Sequence, residues 1–320
     1  MYLLELAGED DAFARREAES AASAVSPLAP GLATARGIDA RRVEGLAYTH
    51  RVSELLGTCE AEVASARLLL ELAGIDREGS VRVRARGVRG TAIDTQRVER
   101  ELGSVLVERG FSVDLDEPDH ELRAVFSGDT CALGWLAAES LREFGARMPT
   151  KQPFFQPGSM DPLLARAVVN IAGAGPGTTV FDPMCGTGGL LVEAGLVGAR
   201  AIGADTQEKM VQGARENLAH YDLEFDLFRG EATRVPLRDG SADAVVFDAP
   251  YGRQSRIEGE LEALVAGALS EAHRLASRTV VVADRSWAEA AERAGWTIEE
   301  RFERRVHRSL VRHVLVLSAD

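Results

Sequence analysis

The chain has 320 residues, 45% hydrophobic and 27% charged, enough for two domains that each bury a core of their own. No run approaches the roughly eighteen uninterrupted apolar residues of a membrane span, and Glu5, Glu9, Asp10 and Asp11 interrupt any signal-peptide core, so a cytoplasmic location is expected. Fifty acidic residues outnumber 37 basic ones, of which only Lys151 and Lys209 are lysines; this net charge of -13 resembles a halophilic archaeal surface, with a GC-rich genome as the other source of the arginine bias.

The first half, 1–147, mixes an opening strand (Tyr2–Leu6), helical stretches around 61–73 and 93–109, and strands near 81–86 and 122–126, an α+β pattern. The run M-P-T-K-Q-P-F-F-Q-P-G-S from 148 carries three of the eleven prolines, which places a linker at 148–160. From 161 to 320 strand and helix alternate as in an open parallel sheet. Asp161 and Pro162 cap a helix reaching 174, and T-T-V-F-D (178–182) reads as a buried strand before a glycine-rich turn and a helix from Gly189. The next strand ends at Asp205, and Thr206 is placed to cap a helix to Tyr221 with Met210, Val211, Ala214 and Leu218 on one face. Strands at 223–228, 243–248 and 279–284, a helix at 257–276, and a terminal antiparallel hairpin (296–305 and 309–318) complete the expected Rossmann-like domain.

The sequence D182-P-M-C-G186-T-G188-G puts a carboxylate at a strand end and glycines where the backbone must approach a ligand. A dinucleotide fingerprint needs a third glycine at 191, where the chain has leucine, so the loop points away from NAD and toward S-adenosylmethionine. Asp205, at the next strand end, can accept both hydroxyls of a ribose, and Glu231 can approach an adenine amino group; a helix cap and a solvent-facing carboxylate are the bland alternatives. Their order at successive strand ends favours the ligand reading.

At the fourth strand end stands D248-A-P-Y-G252, similar to the (D/N)-P-P-Y motif of methyltransferases acting on exocyclic amino groups. Such an amine is a poor nucleophile because its lone pair is delocalised into the ring. Asp248 and the carbonyl of Ala249 can accept its two hydrogens, turning the lone pair toward the methyl donor, and the carboxylate can then take the released proton. Pro250 stiffens the turn, and Tyr251 offers a face for an extruded base. Base-carbon methylation needs a cysteine after the proline, where this chain has Tyr251. Cys59, Cys131 and Cys185 are far apart and without C-x-x-C spacing, so no metal is expected.

The blocks P-F-F-Q-P-G-S-M (153–160), D-P-M-C-G-T-G-G (182–189), R-E-N-L-A-H-Y (215–221) and D-A-P-Y-G-R (248–253) together resemble the archaeal tRNA guanosine-10 N(2)-methyltransferase family, in which a THUMP-containing N-terminal region precedes a Rossmann-like methyltransferase domain. The resemblance implies tRNA as partner and S-adenosylmethionine as methyl donor. Pro157, Ser159 and Met160 would face the donor's methionine end, and Asp182, Gly186, Thr187, Gly188, Asp205, Thr206, Glu231 and Ala232 the rest. Ala249 replaces the family's proline and Glu231 its more common aspartate; neither change removes a polar group. Other exocyclic amines (adenine, or guanine in rRNA or at another tRNA position) and a non-catalytic RNA-binding module are the competing functions.

The run V-R-V-R-A-R-G-V-R-G (81–90) puts Arg82, Arg84 and Arg86 on one strand face, with Arg89 beyond, a candidate RNA contact or a charged edge strand. The terminal arginines Arg301, Arg304, Arg305, Arg308 and Arg312 form a second candidate.

Overall fold

In the computed structural model, which describes residues 1–251, 258–307 and 310–319, the strand-helix alternation of the second half becomes a seven-stranded sheet. Its order is Phe225–Arg229, Arg200–Asp205, Thr179–Asp182, Ala244–Asp248, Arg278–Ala283, Leu310–Ser318, Thr297–His307. The first five strands are parallel, and Leu310–Ser318 runs antiparallel to both of its neighbours, as expected for a Rossmann-like domain with a terminal hairpin. Parallel strands are covered on both faces, which is why Ala244, Val245, Val246 and Phe247 form an unbroken buried run. Phe181 and Phe247 share a core with Leu261, Val265 and Leu269 of the helix Glu258–Leu275, where the buried Trp296 indole donates to the Leu269 carbonyl at 2.9 Å. Chain direction across the sheet reverses between Thr179–Asp182 and Ala244–Asp248, and such reversals open a crevice at the carboxyl ends of the strands.

The helix Pro162–Ala172 starts as its sequence implies: Asp161 accepts from the Leu163 amide at 2.9 Å, Pro162 fills the first turn, and Gly173 ends it at φ 93°. Thr206 does not cap the next helix. That helix, Glu208–His220, begins one residue later, with Gln207 at its N-cap and no side-chain cap there; the Asp205 carboxylate takes the Gln207 amide instead.

The chain separates into two compact units, Met1–Leu141 and Arg142–Asp320, so the 148–160 stretch belongs to the second. The first is α+β. Its eight-stranded sheet runs Ser26–Ala29, Leu32–Ala35, Tyr2–Leu6, Thr49–Glu60, Thr130–Glu139, His120–Ser127, Ser80–Gly87, Ser112–Val113. Helices Val63–Leu72 and Thr95–Glu108 bury Ala66, Leu70, Val98, Leu102 and Leu106 against Val81, Val83, Leu122 and Phe126. A second cluster brings Leu3 and Leu32 to Val88 and Val125, so the sheet curls until strands remote in its order touch. Gly252, Arg253, Arg308, Ser309 and the expected helix start near Ile257 lie outside the described residues.

Candidate active site

Asp182, 2% exposed, accepts from the Met184 amide at 2.9 Å and so starts the glycine turn. Burial pushes its carboxyl well above the usual range, and the nearby carboxylates of Asp205 and Asp248 push the same way. Gly186 and Gly188 have φ of 51° and 79°, a region that L side chains rarely occupy. A β-carbon at Gly188 would lie 3.2 Å from that of Ala214, so this glycine also lets the helix Glu208–His220 come close. At Gly186 and Gly189 a β-carbon would meet no protein atom, so the space beside these two glycines is open. Asp205 bridges the loop to the neighbouring strand, taking the Gly186 amide at 3.1 Å and the Gln207 amide at 2.9 Å.

The proline-rich stretch folds onto this loop. Ser159 and Thr187 hydroxyls lie 3.1 Å apart, and Asn217 accepts from the Phe154 amide while its own amide donates to the carbonyls of Phe154 and Thr187, each at 2.9 Å. The Phe154 ring lies where a β-carbon at Gly213 would stand, so the R-E-N-L helix is shaped to receive it. Farther back, the buried Glu193 carboxylate pairs with Arg147 at 2.8 Å and Arg166 at 2.7 Å, anchoring the start of the stretch.

The glycine loop, Asp205, Asp248 and the turn at 156–160 line an open cleft of about 230 Å³. Of the residues singled out in the sequence, Pro157, Ser159, Met160, Asp182, Gly186, Thr187, Asp205 and Asp248 border it; Gly188 caps the following helix from behind. Thr206, Glu231 and Ala232 are not among the lining residues, and Ala232 is buried in the core. Gln156, Met184, Gln207 and Met210 line it as well. Gln207 and Met210 could have been found from helical spacing after Asp205; nothing local marks Met184.

Asp248 ends its strand on the floor of the cleft, with Ala249 buried behind it and its amide held by the Val282 carbonyl at 2.8 Å. The Tyr251 hydroxyl reaches back to both carboxylate oxygens, at 3.0 and 3.3 Å. Arg312, only 4% exposed, donates from Nε to the Tyr251 hydroxyl at 2.7 Å, and from Nη2 to Asp248 at 3.4 Å and to the Gly158 carbonyl at 3.5 Å. Burial pushes the Asp248 carboxyl up to about 6, while the Arg312 cation and the Tyr251 hydrogen bond restrain the rise and Asp284 adds to it. Of the terminal arginines, Arg312 is therefore interior, not a surface cation. Pro250 is exposed at the rim.

In the first unit, Arg82 pairs with Glu121 at 2.6 Å, Arg86 with Glu5 at 3.8 Å, and Arg89 with Asp11. Arg84 takes part in none of these pairs. Glu5 and Glu121 are themselves buried around Arg123, which bridges them at 2.9 and 3.1 Å.

Comparison with known proteins gives the family and the fold. The family profile of the RMKL-like methyltransferase domain matches residues 149–314, and that of the THUMP domain matches 64–135. A tRNA (guanine(10)-N2)-dimethyltransferase of Methanothermobacter thermautotrophicus is 39% identical over 281 residues, covering 85% of this chain and 83% of the relative. Its counterpart from Pyrococcus abyssi is 30% identical over 288 residues, covering 86% and 85%. The crystal structure of TrmN from Thermus thermophilus shares the fold, at a TM-score of 0.52 and 22% identity over 100% of this chain and 99% of that one. The chain thus belongs to the THUMP-bearing branch of the RMKL-like methyltransferases, the S-adenosylmethionine-dependent family of the tRNA (guanine(10)-N2)-dimethyltransferases.

Proposed function

We propose that this protein methylates the exocyclic 2-amino group of guanosine 10 in tRNA, adding one methyl group and then a second. The observation that carries the reading is Asp248, a half-buried carboxylate at the end of the fourth strand that borders the cleft of the glycine loop. The cleft suits S-adenosylmethionine: its glycines leave open space, Asp205 keeps lone pairs for ribose hydroxyls, and Pro157, Ser159 and Met160 form the opposite wall. When bound, S-adenosylmethionine supplies an electrophilic methyl group. Asp248 and the Ala249 carbonyl orient the amine by accepting its hydrogens, and Asp248 takes the proton that the nitrogen sheds. Asp248 has lone pairs for the amine beside the hydrogen bond it accepts from Tyr251, and the ring of that tyrosine offers a face for the base.

RNA capture is assigned to the first unit, with Arg82, Arg84, Arg86 and Arg89 as contacts. The carboxylates beside three of them reduce the local charge, so Arg84 carries the largest share. We place the enzyme in the cytoplasm of a salt-accumulating cell, where solvent ions screen the net charge of -13. Methylation of adenine, or of guanine elsewhere in RNA, uses the same chemistry. Nucleoside mass spectrometry with positional mapping of treated tRNA separates these readings: N(2)-methylated guanosine at position 10 supports the assignment, and methyladenosine overturns it.

A further inference from the structure

We propose that Arg312 is a positioning residue for methyl transfer, a guanidinium that holds the Asp248 carboxylate, the Tyr251 hydroxyl and the Gly158 turn of the cofactor wall in one constellation. This rests on the functional reading above. Arg312 reaches the site from the terminal strand Leu310–Ser318, which lies between Arg278–Ala283 and Thr297–His307 and pairs with the strand beside that of Asp248. Its neighbours His313 and Val314 stand opposite Ala283 and Val282, so the ladder brings residue 312 to the carboxyl ends of the parallel strands, where the cleft opens.

The hydrogen bonds have a direction. Arg312 Nε donates to the tyrosine oxygen at 2.7 Å, and the tyrosine then donates its own hydrogen to Asp248. Both links favour an ionised acceptor at the end of the chain, the form a proton acceptor must have before transfer. The other groups around Asp248 oppose ionisation: Asp284 follows the next strand, Asp182 ends the preceding one, and the carboxylate is largely withdrawn from water. Among the described residues, Arg312 is the cation set against them. A fastening role alone does not require a charge at this point, since buried ion pairs can be replaced by apolar packing at little cost to stability. The contact with Gly158 adds a second consequence, because that carbonyl belongs to the segment walling the methyl donor's site.

The test is the pH dependence of the single-turnover methylation rate with tRNA and S-adenosylmethionine, for wild type, R312M, R312K and Y251F, with folding monitored by circular dichroism. Losing an opposite charge at this distance raises a carboxylate's pKa by about 1–3 units, so the acidic limb of R312M should move up by that much. R312K should return the limb toward wild type while remaining slower, because a point charge cannot reach tyrosine and carboxylate together. Y251F should move the limb in the same direction as R312M. A rate that falls equally at every pH in R312M, with its limb unmoved, reduces Arg312 to a structural fastening and overturns the proposal. If R312M does not fold, an unmoved limb in Y251F overturns it instead. Wild-type protein that methylates no tRNA overturns the functional reading itself, whereas an active wild type with unmoved limbs overturns only this inference.

Discussion

The Asp205 carboxylate accepts the amide hydrogen of Gly186 at 3.1 Å, which couples the end of one parallel strand to the glycine loop that follows its neighbour. A residue assigned to ribose binding therefore also sets the shape of the loop. Asp205→Ala should weaken S-adenosylmethionine binding, measured by calorimetry, by at least about tenfold, the loss expected when a hydrogen bond to a charged group of about 1.5–3 kcal/mol is removed. Unchanged affinity would mean that the ribose is held elsewhere.

Asp248→Asn keeps the shape of the side chain but cannot take a proton. Single-turnover methylation should fall by about 10²-fold or more, while cofactor affinity stays near wild type. A variant retaining a tenth of the wild-type rate removes Asp248 from its assigned role.

Asp248 also fixes the acidic limit of activity. Its pKa is raised to about 6, so the ionised acceptor is lost as pH falls through 6, and the single-turnover rate should drop tenfold per pH unit below that point. The stability sign is opposite: the folded state binds this proton more tightly than the unfolded chain, so Asp248 favours folding below about 4, and that contribution is lost as pH rises through 6. A limb lying near 4 would show that the carboxylate is as solvated as a free one.

Much of this site is legible in the sequence because its parts are local. Asp182 and Asp205 sit at strand ends that hydrophobic patterning alone locates, Gly186 follows in the loop, and D-A-P-Y begins on the last residue of the fourth strand. Arg312 was not legible. In sequence it is one of five terminal arginines, and only the reversed placement of the last strand, inserted between two earlier ones, takes it inside. The alternation of Arg82, Arg84 and Arg86 was equally plain, but their partners Glu121 and Glu5 lie on strands far away in the chain, so the compensation of charge could not be read locally. Thr206 is not the cap because the helix starts one residue later, with Gln207 at the N-cap and its amide held by Asp205.

The distribution of partners in the first unit gives a graded expectation for RNA binding. Arg84→Ala should raise the Michaelis constant for tRNA and lower the slope of log affinity against log salt by roughly one ion, leaving the cofactor constant unmoved. Arg82→Ala should do less to the salt slope, because Glu121 already offsets its charge. Equal effects at both positions would show that the ion pair opens on binding.

Salt should act on the whole fold. If the surplus of 50 acidic over 37 basic residues is an adaptation to concentrated electrolyte, the melting temperature should climb steadily from low to molar KCl. A flat or falling curve would leave the arginine bias to genome composition.

The most direct measurement is incubation of the purified protein with methyl-labelled S-adenosylmethionine and unmodified tRNA at high KCl, followed by nuclease mapping and nucleoside mass spectrometry. The account predicts label in N(2)-methylguanosine and N(2),N(2)-dimethylguanosine at position 10, and none with the Asp248→Asn protein. Label in methyladenosine, at another guanosine, or undiminished in that variant would contradict it.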